Sequence, residues 1–447
     1  MIVSVGRMMR KGGGGLIWPK GLKESIKAIY DPKKQGLTNY DVIEAYTEDF
    51  KKWNNSPEKY TGSLTSNSLA LTNVSQKTAL IYSPIKPYDF KVLITGLQEG
   101  QHIKFGFDYG ETILEADKDG VYTLEWKEGL KSYGIYTNFV GECNITITQL
   151  PTSILKDFSG NGNHAYLYGG KGKLNSGMGV YKFDFLSDLR INSAYLPYTE
   201  RQDDKICSLA GHPAGWLFQF TSLSDIPAFK VEVKGIVNDN FTYRWYDENG
   251  NRGADIAINE DGIYELPMSY SVETNTGVGI VCNNLCQDNV CFTQIPDYPN
   301  QLCYDGKMYA VCYGFPILTD YTVMAERTWF ERQNRACFLS KITTSGTGAF
   351  GFEFYNEYNE DTTYSFGRVN NVEQFKDGIT YQITNSYNGI VKLDYIVNGK
   401  DNAELYIGKL RPSERPAFIG CHGAIIIADR SFTEDEITWL KDNLFRK

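Results

Sequence analysis

Three short blocks of sequence occur twice in this chain of 447 residues, in the same order and at similar spacing. The first copy consists of FKVLITGL at 90–97, DGVYTL at 119–124 and TQLP at 148–151. The second copy consists of FKVEVKGI at 229–236, DGIYEL at 261–266 and TQIP at 293–296. The blocks begin 29 residues apart in the first copy and 32 residues apart in the second. Such a duplication predicts one small module used twice, and repeated modules are typical of architecture or binding rather than catalysis.

Alternating apolar positions predict that each copy is built from short strands. Phe90, Val92 and Ile94 share one face of a strand, and D-G and E-G pairs provide turn signals between strands. The aromatic share of 14% and the 43 glycines agree with many short strands joined by tight turns. About seven strands in about 85 residues suggest an immunoglobulin-like β-sandwich. The first module is predicted to span residues 64–151 and the second module residues 199–296.

The bulk properties argue against several classes of protein. The net charge of −9 disfavours binding to nucleic acid, which requires clustered cations. No apolar run approaches the about 20 residues that cross a membrane, so no membrane span is expected. Residues 1–10 lack the pattern of a secretory signal, and the nine cysteines are scattered along the chain. These features predict reduced thiols in a protein that folds in a cytoplasm, without a disulfide framework.

Residues 1–63 are predicted to form an N-terminal docking arm and a short helical segment. Four glycines at 12–15 precede Leu16, Ile17 and Trp18, and a run of glycines cannot hold a fold alone. Two interpretations of the arm remain open: a floppy terminus, or a particle-docking peptide anchored by those three apolar side chains. The helix is indicated by apolar residues at helical spacing, namely Val42, Ala45, Tyr46, Phe50 and Trp53.

Three further stretches carry a resemblance to a known fold. They are KDFSGNGNHA at 156–165, a strand-like segment at 320–324 and GAIIIADRSFTEDEI at 423–437. The last stretch ends in a helix signal, because Thr433 and Glu436 have the spacing of a capping box. Together the stretches resemble the laminin-G-like, concanavalin A-like lectin fold.

That resemblance completes the expected architecture. It implies a discontinuous jelly roll made of residues 152–198 and 297–447, with the second module inserted between its two parts. The expected fold class is therefore mainly β, with duplicated small immunoglobulin-like sandwiches and a concanavalin-like jelly roll that the second module interrupts. Loops accept such insertions when their ends lie close together.

Two groups of residues raise the question of a metal ion. Asp157, Asn161 and Asn163 place three oxygen-bearing side chains within seven residues, which suits Ca²⁺. The alternative is turn chemistry, in which Asp and Asn bind local backbone groups. The cysteine pattern at 282–291 lacks the paired knuckles of a zinc site and the histidines are dispersed, so buried thiols are favoured there. Ca²⁺ is the one candidate metal, and no other cofactor is predicted.

Known catalytic patterns are missing from the sequence, so the chain is not expected to be an enzyme. It contains no P-loop, dinucleotide fingerprint or nucleophile elbow. The acidic stretch FEFYNEYNED at 352–361 lacks the paired-carboxylate spacing that concanavalin-type hydrolases use. Its aromatic residues are predicted instead to contribute a ligand-binding surface formed by Tyr355, Tyr358 and Tyr364. Sugar stacking on these rings is one interpretation, and burial of some of the rings in a core is the other.

The chain as a whole is similar to virion proteins of tailed phages that infect Bacteroidales, including the crAss-like group. The docking arm, the stretch IYDPKKQGLTN at 29–39, the small sandwiches and the lectin-like domain follow one another as in those proteins. The resemblance implies a head fibre, tail fibre or capsid decoration that assembles in the host cytoplasm and is located on the virion. Implied partners are other virion proteins of the capsid or tail, further copies in a homo-oligomer such as a trimer, and a surface glycan for host attachment. The alternatives are a bacterial carbohydrate-binding adhesin and, less favoured, a polysaccharide-degrading enzyme.

Overall fold

A computed structural model describes most of the chain, and its strands pair in antiparallel sheets. The described residues are 18–37, 43–83, 88–106, 112–125, 133–170, 183–221, 225–270, 277–298, 300–318, 321–331, 336–341, 350–354, 363–366, 380–385, 404–410 and 417–445. Within them the strands form six sheets, which pack in pairs around three large apolar cores. The predicted mainly β class is confirmed.

The first described segment supplies a strand rather than a detached arm. Helix α1 (Leu22–Ser25) leads into β1 (Ile26–Tyr30), and α2 (Pro32–Gln35) follows. β1 pairs with the C-terminal part of the chain, where Ile26 lies opposite Ala428. The predicted arm of residues 1–63 is therefore corrected, because the apolar strand within it is an integral part of a sheet. Strand pairing over so long a separation leaves no local signal in the sequence.

The predicted helix around residues 42–53 is wrong over its described part. Residues 44–49 have no regular structure, and Phe50–Lys52 forms a single 3₁₀ turn. The rings of Phe50 and Trp53 contact each other with centroids 5.2 Å apart and are buried in a β core. These two aromatic residues of the irregular segment pack into the core, and their spacing from the apolar residues before them resembles that of a helix, which explains the wrong prediction. Residues 38–42 lie outside the described residues.

The first module contains ten strands among the described residues. They are β2 (Asn54–Asn55), β3 (Tyr60–Leu64), β4 (Ser68–Val74), β5 (Ala79–Tyr82), β6 (Phe90–Thr95), β7 (Ile103–Gly106), β8 (Thr112–Ala116), β9 (Gly120–Leu124), β10 (Gly134–Thr137) and β11 (Gly141–Gln149). One sheet has the order β2-β5-β10-β7-β8 and the other β3-β4-β11-β6-β9. The two sheets face each other across one core.

Two short strands, β12 (Ile154–Leu155) and β13 (Ala165–Tyr168), precede the second module. The second module then repeats ten described strands. They are β14 (Leu189–Arg190), β15 (Thr199–Arg201), β16 (Lys205–Ser208), β17 (Gly215–Phe220), β18 (Phe229–Lys234), β19 (Phe241–Arg244), β20 (Ile256–Ile258), β21 (Gly262–Leu266), β22 (Gly279–Cys282) and β23 (Val290–Ile295). Their sheet orders, β14-β17-β22-β19-β20 and β15-β16-β23-β18-β21, match those of the first module strand by strand.

Both modules begin earlier than their predicted boundaries at residues 64 and 199. The first core includes Phe50 and Trp53, and the second includes Phe183, Phe185 and Leu189. The opening strands β2 and β14 have only two residues each. A strand of two residues is too short to show alternating apolar and polar positions. The boundaries predicted from that alternation therefore lie too late in the chain.

The remaining strands build a third sandwich. They are β24 (Leu302–Asp305), β25 (Tyr309–Cys312), β26 (Thr322–Glu331), β27 (Cys337–Lys341), β28 (Phe350–Phe354), β29 (Thr363–Phe366), β30 (Thr380–Asn385), β31 (Leu405–Ile407) and β32 (Ile419–Ala428). Among the described strands, one sheet runs β1-β32-β26-β30 with β24 also beside β32, and the other runs β12-β13-β25-β31-β27-β28-β29. β13 precedes the second module and β25 follows it, yet the two strands are paired. Their pairing brings the two ends of the intervening chain together.

The C-terminal helix α3 (Glu434–Leu440) covers the outer face of the β32 sheet. Its predicted capping box is confirmed, since Thr433 Oγ1 accepts a bond from Glu436 N and the Glu436 carboxylate accepts one from Thr433 N. Arg430 also donates two bonds to that carboxylate, at 2.6 and 2.8 Å. Trp18 lies 4.9 Å from Trp439, measured between ring centroids. Trp18 therefore contacts the chain's own helix, and Leu16 and Ile17 lie outside the described residues.

The repeated glycines mark positions where only glycine fits. Gly96 follows β6 with φ of 88°, and a Cβ added there would lie 1.9 Å from the carbonyl oxygen of Asn144. Gly235 follows β18 with φ of 100°, and its Cβ would lie 2.3 Å from the carbonyl oxygen of Asn289. The left-handed backbone and the close approach each exclude a side chain.

The D-G-x-Y blocks hold the adjacent hairpins in the same way in both modules. Asp119 accepts bonds of 2.9 and 2.8 Å from the N–H groups of residues 96–97, and Asp261 accepts one of 2.7 Å at the equivalent turn. Tyr122 and Tyr264 each donate their hydroxyl to the carbonyl four residues earlier, at 2.6 and 2.9 Å. The repeated D-G-x-Y blocks therefore form equivalent hydrogen-bonded turns in the two modules.

The buried glutamine of each T-Q-x-P block fastens the chain that enters its module. Gln294 donates to Phe183 O at 2.9 Å and accepts from Phe183 N at 3.2 Å. Gln149, oriented by its hydrogen-bond network, donates to Glu48 O at 2.8 Å and accepts from Thr47 N at 3.0 Å. An amide suits this place because it offers one donor and one acceptor to a backbone segment.

The prediction of reduced cysteines needs one correction. Cys207 and Cys291 lie directly opposite each other on β16 and β23 and form a disulfide bond. The other seven cysteines lie outside this disulfide, and all but Cys143 are buried. This disulfide could not be predicted from the sequence, because its two cysteines are 84 residues apart. The pairing of β16 with β23 brings them together.

Candidate functional site

The residues predicted to bind Ca²⁺ form a hydrogen-bonded clasp. The Asp157 carboxylate accepts four bonds of 2.8–3.0 Å, from Ile29 N, Asn163 N and the backbone and hydroxyl of Ser159. The side-chain nitrogens of Asn161 and Asn163 donate to carbonyls of β1. A cation would have to displace the N–H and O–H donors on Asp157, so this arrangement favours turn chemistry. The clasp fixes β1 to the loop that opens the third sandwich.

The predicted ligand-binding tyrosines are not brought together among the described residues. Tyr355 and Tyr358 lie outside them. Tyr364 lies in β29, at the edge of its sheet as described, where it is paired with Glu353 of β28. Of the acidic stretch at 352–361, Glu353 lies within the described residues and Glu357 lies outside them.

A different set of tyrosines lies on the seven-stranded sheet, on the face turned away from its core. Leu155, Ala165, Leu167, Ala310, Cys312, Leu405 and Ile407 point into the core. The alternate positions carry the group called here the tyrosine group: Tyr166, Tyr168, Tyr309, Tyr313 and Tyr406, together with Tyr46 from the chain that leads into the first module. Strand geometry places successive side chains on opposite faces, which is why a run such as AYLY builds both surfaces.

Ring contacts and hydroxyl bonds organise the tyrosine group. The rings of Tyr168 and Tyr309 are stacked at 5.2 Å, and the hydroxyls of Tyr168 and Tyr313 are 2.9 Å apart. Tyr166 and Tyr313 have ring centroids 6.1 Å apart. Tyr46 donates its hydroxyl to Glu44 at 3.1 Å. These contacts join Tyr166, Tyr168, Tyr309 and Tyr313 into one group, in which Tyr166 is buried.

Burial keeps these hydroxyls protonated. It raises the pKa of Tyr166 to about 12 and that of Tyr313 to about 12. Burial, followed by the charge of Glu44, also raises the pKa of Tyr46 to about 12. At neutral pH each phenol can therefore both donate and accept a hydrogen bond.

Two cavities flank the tyrosine group where the first module meets the third sandwich. The smaller, of about 250 Å³, is lined by Tyr166, Lys91, Thr123 and the chain at 150–152. Lys91 Nζ lies 5.8 Å from the centre of the Tyr166 ring. The larger, of about 510 Å³, is lined by the ends of β6 and β9, the loop at 313–317 and Glu404. Its size falls in the range of small-ligand sites.

The lining of the larger cavity combines aromatic, acidic and backbone polar groups. Tyr313 supplies an aromatic face, Glu404 a carboxylate, and the turn at 119–121 backbone groups. Val121 and Ile317 are exposed apolar side chains in the same lining. Sequence reasoning missed this site, although the alternation in AYLY at 165–168 and YAVCY at 309–313 was a signal that it could have used.

Comparison with known proteins leaves the site to be interpreted from its chemistry. No protein-family model matches the chain, and no curated protein matches its sequence. Among the described residues no helix is both long enough and apolar enough to span a membrane.

Proposed function

We propose that this chain is a non-catalytic adhesion and structural protein of a tailed-phage virion, which binds a glycan between its first module and its third sandwich. The observation that carries the binding proposal is the cavity of about 510 Å³ beside the tyrosine group. The resemblance of the chain to virion appendage proteins supports the location. Two sandwiches of matching strand order suit a protein that spaces and displays a binding surface.

The chemistry of the cavity favours a saccharide over an apolar ligand. A sugar ring has apolar C–H faces and a rim of hydroxyl groups, so it is bound by aromatic rings that are accompanied by donors and acceptors. Tyr313 offers both a ring and a hydroxyl, and the Tyr168 hydroxyl at 2.9 Å fixes its direction. Glu404 can accept bonds from two neighbouring sugar hydroxyls.

Glycan binding by the full chain tests the proposed ligand. An array of bacterial capsular and mucosal glycans would identify a ligand, and titration calorimetry would then give its affinity. Tyr313→Ala should weaken binding by about tenfold or more, because it removes ring and hydroxyl together, and Tyr313→Phe should weaken it less. Tyr82→Ala is the matched control. Tyr82 is an exposed tyrosine of the first module, and its strand β5 lies in the sheet that does not contain β6 and β9. Equal affinity of Tyr313→Ala and wild type would contradict this site.

The virion location has its own test. Labelled copies of the chain, imaged in purified particles, should appear at the head or the tail. Chains that lack residues 1–17 should be incorporated less if that segment docks into the particle. Incorporation at the wild-type level would refute docking by the arm, and absence of the label from particles would favour the bacterial adhesin.

The non-catalytic part of the proposal is tested with the glycan that binds. Incubation with the full chain should leave its chain length unchanged. Depolymerisation that Glu353→Gln abolishes would instead establish the enzyme alternative.

A further inference from the structure

A buried group of metal-binding side chains lies in the second module, outside the tyrosine group. One ligand atom each from His212, Cys282 and Cys286 lies within 4.8 Å of the others. All three residues are buried, and His212 has no exposed surface. Cys282 ends β22, Cys286 follows in the next loop, and His212 lies in the loop between β16 and β17. The neighbouring disulfide takes Cys207 and Cys291 out of this group.

The imidazole of His212 is oriented as in a metal ligand. Its Nδ1 lies 2.7 Å from the carbonyl oxygen of Pro213, so Nδ1 carries the proton and donates. Nε2 is then an unprotonated acceptor, and it is buried without a hydrogen-bond partner in the described part of the chain. A backbone carbonyl on one ring nitrogen commonly fixes the tautomer that leaves the other free for a metal. A buried acceptor without a partner is otherwise unfavourable.

The loops that carry the three ligands are fastened to each other. Cys286 N donates to His212 O at 2.9 Å, and Gly211 N donates to Cys286 O at 2.8 Å. The carboxylate of Asp239 accepts bonds of 2.8–3.1 Å from Gln287 N and Asp288 N, immediately after Cys286. The hydrogen bonds between these loops therefore fix the positions of the three candidate metal ligands before any ion binds.

The first module provides an internal reference for this group. Ile147 is paired with Ile94 in the first module, and Phe292 is paired with Val233 in the second, which aligns the two modules residue by residue. Equal numbers of residues separate the paired positions on either side of each ligand loop. The equivalents of His212, Cys282 and Cys286 are Ser75, Thr137 and Gly141. The first module thus forms the same strand order with other side chains at these three positions.

We propose that His212 Nε2 and the thiolates of Cys282 and Cys286 bind one thiophilic d¹⁰ cation, for which Zn²⁺ is the probe. Two soft sulfur ligands and one imidazole suit zinc and monovalent copper rather than Ca²⁺ or Mg²⁺. Three protein ligands leave a further coordination position for a water molecule or an added ligand. Because binding requires the thiols to lose their protons, affinity should fall at acid pH.

Zn²⁺ binding to the full chain tests the proposal. Protein stripped with a chelator and kept from air should take up about one Zn²⁺ per chain. Co²⁺ in its place should give the near-ultraviolet charge-transfer absorption of a thiolate complex, which a hydrogen-bonded thiol pair would not show. The variant H212S/C282T/C286G carries the residues of the first module and should bind no Zn²⁺. His212→Ala keeps both thiols and should lower the affinity by about tenfold or more.

The controls separate loss of the site from loss of the fold. Cys143→Ser and Cys312→Ser remove free cysteines elsewhere and should bind Zn²⁺ as the wild type does. Circular dichroism should show the same β signal for every variant. Failure of the wild type to bind Zn²⁺, or alkylation and mass spectrometry that find Cys282 bonded to Cys286, would overturn the proposal.

Discussion

At the scale of single residues, buried polar groups in this chain bind specific partners. His422 of β32 has no exposed surface, and its Nδ1 donates to the carbonyl of Gly423 at 2.7 Å. Its Nε2 accepts from the hydroxyl of Tyr304 at 2.9 Å. Burial lowers the pKa of His422 to about 4, from an ordinary value of 6.5. The imidazole is therefore neutral in the folded protein at physiological pH.

That lowered pKa predicts a loss of stability in mild acid. Between pH 6.5 and about 4 the unfolded chain binds a proton at His422 that the folded chain does not, so unfolding becomes easier as the pH falls. The third sandwich should lose about 2 kcal/mol of stability from this residue between about pH 7 and about pH 5. Hydrogen exchange of β32 peptides at both pH values measures the change.

A variant separates His422 from the other histidines. Burial also lowers the pKa of His164 and of His212, so these residues contribute in the same direction. His422→Gln should be less stable than wild type at neutral pH and should lose less stability on acidification. The same pH dependence in both proteins would show that His422 is not the source.

At the scale of elements, each repeated block performs one defined task. The glycine lets β11 or β23 pass close to the turn, the aspartate holds the turn, and the glutamine fastens the incoming chain. These tasks follow from the turn and hydrogen-bonding preferences of the residue types. The turn roles of the glycine and the aspartate could be anticipated from sequence because turn preferences are local, as could the capping box of α3. The glutamine's role could not, because Gln294 binds Phe183, which lies 111 residues earlier in the chain.

The glycine task gives a prediction with a built-in control. Gly96→Ala and Gly235→Ala each add a Cβ less than 2.5 Å from a backbone carbonyl oxygen and force alanine into a positive φ. Each should destabilise its own module by several kcal/mol, well beyond the about 1–2 kcal/mol of the backbone strain alone. Gly100→Ala has a similar φ of 79° with open space around it, and should show the strain alone. Hydrogen exchange of β6 and β18 distinguishes the modules, and equal effects at 96 and 100 would contradict the steric argument.

Features that depend on remote pairing could not be read from the sequence. β1, the disulfide and the tyrosine group each join segments that are far apart along the chain. Their residues look ordinary in isolation: IKAIY is a short apolar run, and Cys207 has no cysteine within 60 residues of it in sequence. The cysteine pattern at 282–291 was visible, but His212 becomes its neighbour only when the loops of the second module fold together.

At the scale of the whole molecule, the N-terminal segment completes the third sandwich. β1 lies beside Ile425, Ile426 and Ile427 of β32, which are fully buried. Without β1 those residues would form an exposed apolar sheet edge, a surface that promotes aggregation. β1 itself is therefore not available for the docking function expected of residues 1–63.

Two truncations test this division. A chain that lacks residues 1–17 keeps Trp18 and β1, and should be folded and monodisperse in its usual oligomeric state. A chain that lacks residues 1–30 loses β1 and should aggregate, with faster hydrogen exchange in the 425–428 part of β32. Size-exclusion chromatography and exchange mass spectrometry measure both effects. Full protection of β32 in the longer truncation would show that β1 is dispensable.

The position of β32 also sets the order in which this protein can fold during its synthesis. Both modules consist of strands that are complete long before the chain ends, so each can fold while the ribosome is still translating. The third sandwich must wait, because its strand β32 lies at 419–428 and is paired with β1 at 26–30. Until β32 has been synthesised, β1 lacks its strand partner, although the clasp at Asp157, Asn161 and Asn163 can already bind it. The third sandwich is therefore closed by β32, and a stop in translation between β23 and β32 leaves a chain with two finished modules and an open third sandwich.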